Sequence, residues 1–408
     1  MGTNNDKSVL ATPSSGRRYV AFLIYIAILG AFSSLVNDMY LPTMPGMMRQ
    51  FHTTASATQM GLSMAMLGLG IGSALWGSLS DRYGRRAILL VSLAIFVVAT
   101  LATTLAPNIT FFIWCRLLQG LGAGGAMVLS YSIPADLYGG RQLVQVIALV
   151  GAINGIAPAA SPILGGALTD SIGWRGIFVV LLAIGMAMAI WAYRRPETLP
   201  LSRRLKGATI GKYMHDYLVL FKNGRFMTYV LLKAVAIGML YAYISSAPFI
   251  YQDHYGFTAF QFGLIFGGNA LAIALGSIAV MRFRVLKRGL VVGTVLMGVF
   301  ATCQAWVMYH SLHFCWYEAT SLPMLFCLGM IFASANSLGM EAGRSDAGTS
   351  GAILNVVKYI FAAIVAPLVG IGNIMHSSAW CFVAVAAIAL LLTIPAIRLK
   401  PLADMIKQ

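Results

Sequence analysis

The sequence predicts an all-α membrane protein with 12 transmembrane helices in two six-helix bundles. Composition, the spacing of apolar runs and the placement of basic residues each point there. The chain has 408 residues, of which 59% are apolar and 10% charged, whereas soluble domains are about 45–50% apolar and about 25% charged. The mean hydropathy is +0.80. These values exclude an ordinary soluble enzyme and a disordered chain. A net charge of +16 on a soluble protein would suggest nucleic acid. On a membrane chain it is a question of topology, and no nucleic-acid partner is expected.

A spanning helix needs about 20 apolar residues. The first 18 residues are polar and end in Arg17-Arg18. The run after them is too long for a signal-peptide core and reads as the first membrane helix. Apolar runs then fall at 19–41, 58–79, 87–106, 110–134, 143–168 and 175–193, and again at 226–250, 260–281, 289–309, 319–340, 348–371 and 378–397. The expected organisation is a cytoplasmic tail (1–18), a first bundle (19–193), a central loop (194–225), a second bundle (226–398) and a tail (399–408). A six-plus-six division suggests two bundles around a central cavity, as in many secondary transporters.

Basic residues fix the expected orientation. With the N-terminus in the cytoplasm, 23 of the 28 Lys and Arg fall on the cytoplasmic side, two (Arg49, Arg175) outside, and three (Arg116, Lys233, Lys358) within spans. This is a strong positive-inside pattern that puts both termini in the cytoplasm. The cysteines form no CxxC pair and the histidines no ligand set, so no metal is expected.

Between the second and third runs lies Gly77-Ser78-Leu79-Ser80-Asp81-Arg82-Tyr83-Gly84-Arg85-Arg86. Its glycines permit a tight turn, and its charges can pair with one another and with helix ends. It reads either as a latch for one conformation or as a plain positive-inside loop. The pattern resembles the signature loop of the major facilitator superfamily. Arg116, Gln119 and Gly120 resemble that superfamily's Arg-x-x-Gln-Gly motif. Gly151, Gly155, Pro162, Gly165 and Gly166 resemble its antiporter motif, with Ser161 in place of a glycine. Trp174-Arg175-Gly176-Ile177-Phe178 matches as well. Asp38-Met39-Tyr40-Leu41-Pro42-Thr43-Met44-Pro45 resembles the signature of the bicyclomycin and chloramphenicol resistance family. Pro196-Glu197-Thr198-Leu199-Pro200, Ser246-Ala247-Pro248-Phe249 and Gly348-Thr349-Ser350-Gly351-Ala352 fit that family too. The resemblance implies the major facilitator fold and proton-coupled drug export across a bacterial inner membrane. It leaves the drug open.

Asp38 reads as the only acid well inside a span. An intramembrane carboxylate is a functional-site hypothesis by default, against a structural alternative in which Asp38 anchors the helix end before Pro42. Poised between burial and a nearby cation, it could load and release a proton. Arg116 reads as an electrostatic partner of that site or as an interfacial snorkeller. Lys358 lies about 15 Å along its helix, near the midplane. It departs from the polar residue that the resemblance leads one to expect. It could bind an anionic or carbonyl group, serve as counter-charge to Asp38, or bond helix carbonyls. Lys233 is less deep. Asn37, Tyr40, Tyr241 and Asn355 complete the expected substrate site, although intramembrane asparagines more often join helices. Gly151/Gly155 and Gly165/Gly166 could let backbones approach and seal the cytoplasmic side.

The expected function is a proton-coupled efflux transporter working by alternating access, with helices 1, 4, 7 and 11 lining the cavity. Three buried cations against one acid favour neutral or weakly acidic, phenicol-like substrates. The alternative is a proton-coupled transporter of an amino acid, peptide or sugar. No cofactor is expected beyond the proton gradient. The expected partners are a drug, protons and lipid, for a monomer. An enzyme would need a constellation such as HExxH or GxSxG, and neither is present.

Overall fold

The computed structural model describes residues 16–204, 219–344 and 347–398. Residues 1–15, 205–218 and 399–408, with Lys7, His215, Lys400 and Lys407 among them, lie outside the described residues.

The membrane helices are α1 (Gly16–Asp38), α2 (Ala55–Tyr83), α3 (Arg85–Thr104) and α4 (Ile109–Leu137), then a continuous stretch Gly140–Tyr193. In the second half come α7 (Gly224–Phe249), α8 (Ala259–Ala279), α9 (Leu286–Tyr309), α10 (Phe314–Ala342), α11 (Ala347–Leu368) and α12 (Ile374–Arg398). The stretch Gly140–Tyr193 has 54 residues. As one rod it would extend about 80 Å, far beyond a hydrocarbon core of about 30 Å. Gly173, at φ 61° and ψ −175°, breaks it. Arg86 bonds the Tyr193 carbonyl at one end of the molecule, while Trp174 Nε1 donates to Gln50 Oε1 at the other. The chain therefore reverses at Gly173, giving α5 (140–172) and α6 (174–193). Twelve crossings result among the described residues, as the apolar runs predict.

We call the end that carries Arg85, Arg86, Arg194 and Arg195 the basic end, and the other the far end. Caps end the helices as their sequences dictate. Thr54, Asn108 and Asn223 side chains accept from the first-turn N–H groups of α2, α4 and α7. Thr258 and Gln261 close a capping box on α8.

Small residues set the helix spacing within each half. A Cβ on Gly68 of α2 would lie 2.1 Å from the Leu117 carbonyl oxygen, and one on Gly120 of α4 would lie 2.0 Å from that of Ala65. The pair Gly276 and Gly329 brings α8 and α10 equally close. Lipid provides no hydrophobic drive between helices, so such backbone contact supplies dispersion and fixes geometry. Each half packs mostly on itself. The two halves meet along α2 with α11 and α5 with α8.

Candidate functional site

The chain turns irregular where the two halves meet. α1 stops at Asp38, Leu41–Thr43 forms a 3₁₀ turn around Pro42, and a short helix follows over Met44–Gln50. Pro42 lacks the N–H that a continuing α-helix would use, so carbonyls near the end of α1 need other donors. Arg116 supplies one. Its guanidinium is wholly buried. It donates to Val36 O at 3.1 Å and Gly61 O at 3.4 Å and also bonds Gln119 Oε1. Gln119 in turn donates to Thr100 Oγ1 at 2.8 Å, tying α4 to α3. The Tyr40 ring lies 4.4 Å from Arg116 Cζ, and Phe178 lies 5.6 Å away. Phe112, Phe51 and Trp174 extend the cage. Arginine suits this place because it offers several donors in one plane and a flat face to aromatic rings.

Asp38 is only 6% exposed. Ser34, one turn back, and Arg116 are its principal electrostatic partners. Among the described residues no cation lies within ion-pair distance of it. Arg116 thus holds the α1 break through carbonyls and influences Asp38 from beyond contact. Tyr241 of α7 has Asp38, Tyr359 and Tyr40 as electrostatic neighbours. Sequence reasoning named Asp38, Tyr40, Arg116 and Tyr241, and the fold brings them together. Asn37 Nδ2 bonds Ser33 O of its own helix, and its Oδ1 is buried without a partner.

Lys358 lies on a cavity wall that also holds Ser34, the neighbour of Asp38. It lines this cavity, of about 820 Å³, with Ser33, Ser34, Tyr131, Asn154 and Asn355. Its Nζ sits 4.5 Å from the Tyr359 ring centroid, and Lys233 is its electrostatic neighbour. Lys233 donates to Asn336 Oδ1 at 2.7 Å, linking α7 to α10. Neither lysine pairs with Asp38. The cavity wall comes from α1, α2, α4, α5 and α11, so α7 does not line it as expected.

The far end is closed between the halves. Arg49 pairs with Asp253 at 2.8 Å. Gln252 donates to Pro42 O, Ser56 to Pro367 O, and Gln59 to Ser245 O. Cβ atoms on Gly165 and Gly166 would lie 1.8 Å and 2.4 Å from the Met39 and Ala259 carbonyl oxygens. Gly165 brings α5 onto the α1 break within the first half, whereas Gly166 brings α5 onto α8 across the two halves. Pro162 packs its carbonyl on Gly263 in the same contact. Further down α5, Gly155 and Gly151 have no atom within 4 Å of a built Cβ, so they make no close approach. Among the described residues, the close approaches of α5 glycines to the second half are confined to the far end, and no ion pair joins the halves at the basic end.

The loop 77–86 is fastened inside the first half. Gly84 adopts φ 103°, a conformation open to glycine, and a Cβ there would lie 2.4 Å from Glu197 Oε2. Glu197 accepts from the backbone N–H groups of Arg85 and Arg86, capping the N-terminus of α3. Arg85 pairs with Asp81 and Asp136, and Arg82 lies against Tyr83. Gly77 meets only Val128 at 3.4 Å. Among the described residues this network does not cross to the second half.

Sequence reasoning missed a second, half-buried acid. Glu318 sits on the second turn of α10, in the second half. Tyr251 donates to its Oε1, as does Asn269 Nδ2 at 3.3 Å. Its Oε2 is buried without a partner. The apolar run begins at 319, so hydropathy alone leaves Glu318 one residue outside. The aromatic pair Trp316-Tyr317 just before it was the available sign that the helix starts earlier.

Residues 26–367 match the Major Facilitator Superfamily. An uncharacterized MFS-type transporter of Bacillus subtilis is 34% identical over 88% of this chain and 90% of its own length. A chloramphenicol resistance protein of Pseudomonas aeruginosa is 33% identical over 62% of this chain and 59% of its own. Multidrug resistance protein D of Escherichia coli is 26% identical over 86% and 89%. Among solved structures, an inward-facing bacterial homologue of the lysosomal transporter Spinster aligns with a TM-score of 0.73 at 15% identity, covering 94% of this chain and 98% of that one. Twelve crossings in two packed halves, the irregular end of α1 and the motifs at 77–86 and 116–120 agree with that match: the chain belongs to the major facilitator superfamily.

Proposed function

We propose that this protein is a proton-coupled drug exporter of a bacterial inner membrane, working by alternating access with the basic end in the cytoplasm. One observation carries the reading: a buried acid, Asp38, lies at the junction of two halves that are joined at one end and parted at the other. With the basic end inside, the structure is the inward-open form. A cavity of about 820 Å³ falls within the range of about 300–1,000 Å³ usual for drug-sized ligands. Relatives named for chloramphenicol, bicyclomycin and multidrug resistance support the substrate class. Asp38 would take a proton from outside and give it up inside as the halves rock.

The decisive experiment uses protein in liposomes with an imposed pH gradient. Asp38→Asn is expected to lose gradient-driven drug movement while still binding drug. Full pH-dependent transport by that variant would remove Asp38 from the role. A second expectation concerns charge. Lys358 on the wall, with Lys233 as its electrostatic neighbour, makes the cavity lean positive, so neutral or weakly acidic phenicol-like compounds should be moved in preference to lipophilic cations. Ethidium emerging as the best substrate in a panel of antibiotics and metabolites would overturn it.

A further inference from the structure

Glu318 has no part in the mechanism above, yet its surroundings are built. It lies where the end of α7, α8 and α10 converge. Asn269 Nδ2 lies 2.8 Å from Tyr243 Oη and 3.1 Å from Tyr251 Oη, and the two hydroxyls are 3.3 Å apart. Tyr251 and Asn269 then both reach Glu318 Oε1. Among the described residues no Lys, Arg or His stands within ion-pair distance of the carboxyl. An ionised carboxylate buried without a cation is costly, while a neutral carboxyl is not. The unpartnered Oε2 is where the proton of the neutral form would reside.

Tyr251 connects this acid to the far-end closure. It lies on the π-turn Ile250–His254 that continues α7. The next two residues on that turn make the bonds to the first half: Gln252 to Pro42 O at 2.9 Å and Asp253 to Arg49 at 2.8 Å. Ionising Glu318 would leave Oε2 in need of a donor. The buried hydroxyls of Tyr317 and Ser321 also lack partners, and Tyr317 packs edge-on against Tyr251 with centroids 5.6 Å apart. Recruiting these hydroxyls or water would shift the Tyr251 ring and the turn that carries it.

We propose that Glu318 is a second proton-binding site and that its proton, acting through Tyr251, holds the far end closed. The proposal rests on the alternating-access reading for its consequence: a proton entering from the far end favours closure there, and its loss favours opening. The titratable groups facing Glu318 are Tyr243, Tyr251 and Tyr255 from the α7 side and Tyr317 on its own helix. α8 contributes the neutral Asn269. His254 on the turn and His313 at the start of α10 lie farther out, and Arg49 and Asp253 form the gate itself.

The test needs no substrate. Infrared spectra of the purified protein across a pH series report protonated carboxyl groups, and hydrogen exchange of residues 250–258 reports the turn. In wild type the carboxyl signal should fall as pH rises, with faster exchange of the turn after correction for intrinsic rates. Glu318→Gln should lose one component of that signal and keep the turn protected at every pH. Asp38→Asn should retain the Glu318 component, which separates this site from the transport reading. Tyr251→Phe should keep the component while the turn loses its pH response, a result that also guards against a misfolded Glu318 variant. The proposal is overturned if Glu318→Gln leaves the carboxyl signal unchanged. It is overturned equally if the turn still opens with pH in that variant, since both histidines remain there to carry the response.

Discussion

The two halves solve one structural problem with different ionisable groups. In each, the first helix breaks near the far end, α1 at Asp38 into a 3₁₀ turn and α7 at Phe249 into a π-turn. In the first half the break is held by Arg116, sunk in an aromatic cage and bonded to two backbone carbonyls. In the second half the break sits over Glu318, bonded by a hydroxyl and an amide. Arginine keeps its charge under all working conditions, so the first break is a fixed brace. A carboxyl can gain or lose its charge, so the second break can be switched. The first half has its own titratable acid in Asp38, but places it beside the brace instead of inside it.

The largest expected effect tests the brace. Arg116→Leu strands the Val36 carbonyl at the α1 break, removes a bond to the Gly61 carbonyl and opens the stack on Tyr40. Hydrogen bonds to charged groups contribute about 1.5–3 kcal/mol each, so thermal unfolding in detergent should show severe loss or failure to fold. Arg116→Lys keeps the charge but offers one point donor in place of a planar fork, and should recover only part of the loss. If lysine restores wild-type stability, charge alone holds the break and the contrast with Glu318 reduces to sign.

The glycines of α5 give a smaller effect and separate the closed end from the parted one. Gly165→Ala drives a methyl into the Met39 carbonyl at the α1 break, and overpacking of this kind costs about 1–3 kcal/mol. Gly151→Ala meets nothing within 4 Å and replaces a poor helix former with a good one, a gain of about 1 kcal/mol. Melting temperatures should therefore move in opposite directions. A matching loss at Gly151 would mean that the basic ends of α5 and α8 spend much of their time together.

Much of this was legible in the sequence. The apolar runs located every crossing within a few residues, and the reversal at Gly173 falls in the short polar break they left. Asp38, Tyr40 and Arg116 stood out because charge and hydroxyl within an apolar run are costly and few. Two things were not legible. What each glycine approaches depends on what lies across from it, and Gly166 and Gly151 look alike until Ala259 is placed. Glu318 escaped because a hydropathy window assigns a terminal acid to the loop, although three helices converge on it. Lys358 lines a cavity, and its charged neighbour is the like-charged Lys233 and not Asp38, a placement that depends on how α7 and α11 rotate.

The gate itself should give the smallest effect, and its size discriminates between two accounts of closure. Arg49 and Asp253 form the one ion pair between the halves among the described residues, yet their side chains are 64% and 37% exposed. Exposed pairs contribute about 0.2–1 kcal/mol and are screened by salt. Asp253→Asn should therefore raise the far-end-open population by no more than about fivefold, since a factor of ten needs about 1.4 kcal/mol. Hydrogen exchange of residues 39–54 would read the change, and high salt should raise exchange in wild type toward the variant's level. A much larger opening would mean that the surface pair is the lock. An opening within the bound leaves closure to the buried contacts, the matched glycines and the Tyr251–Glu318 bond. The exposed pair then serves mainly to steer the two halves into register as they meet.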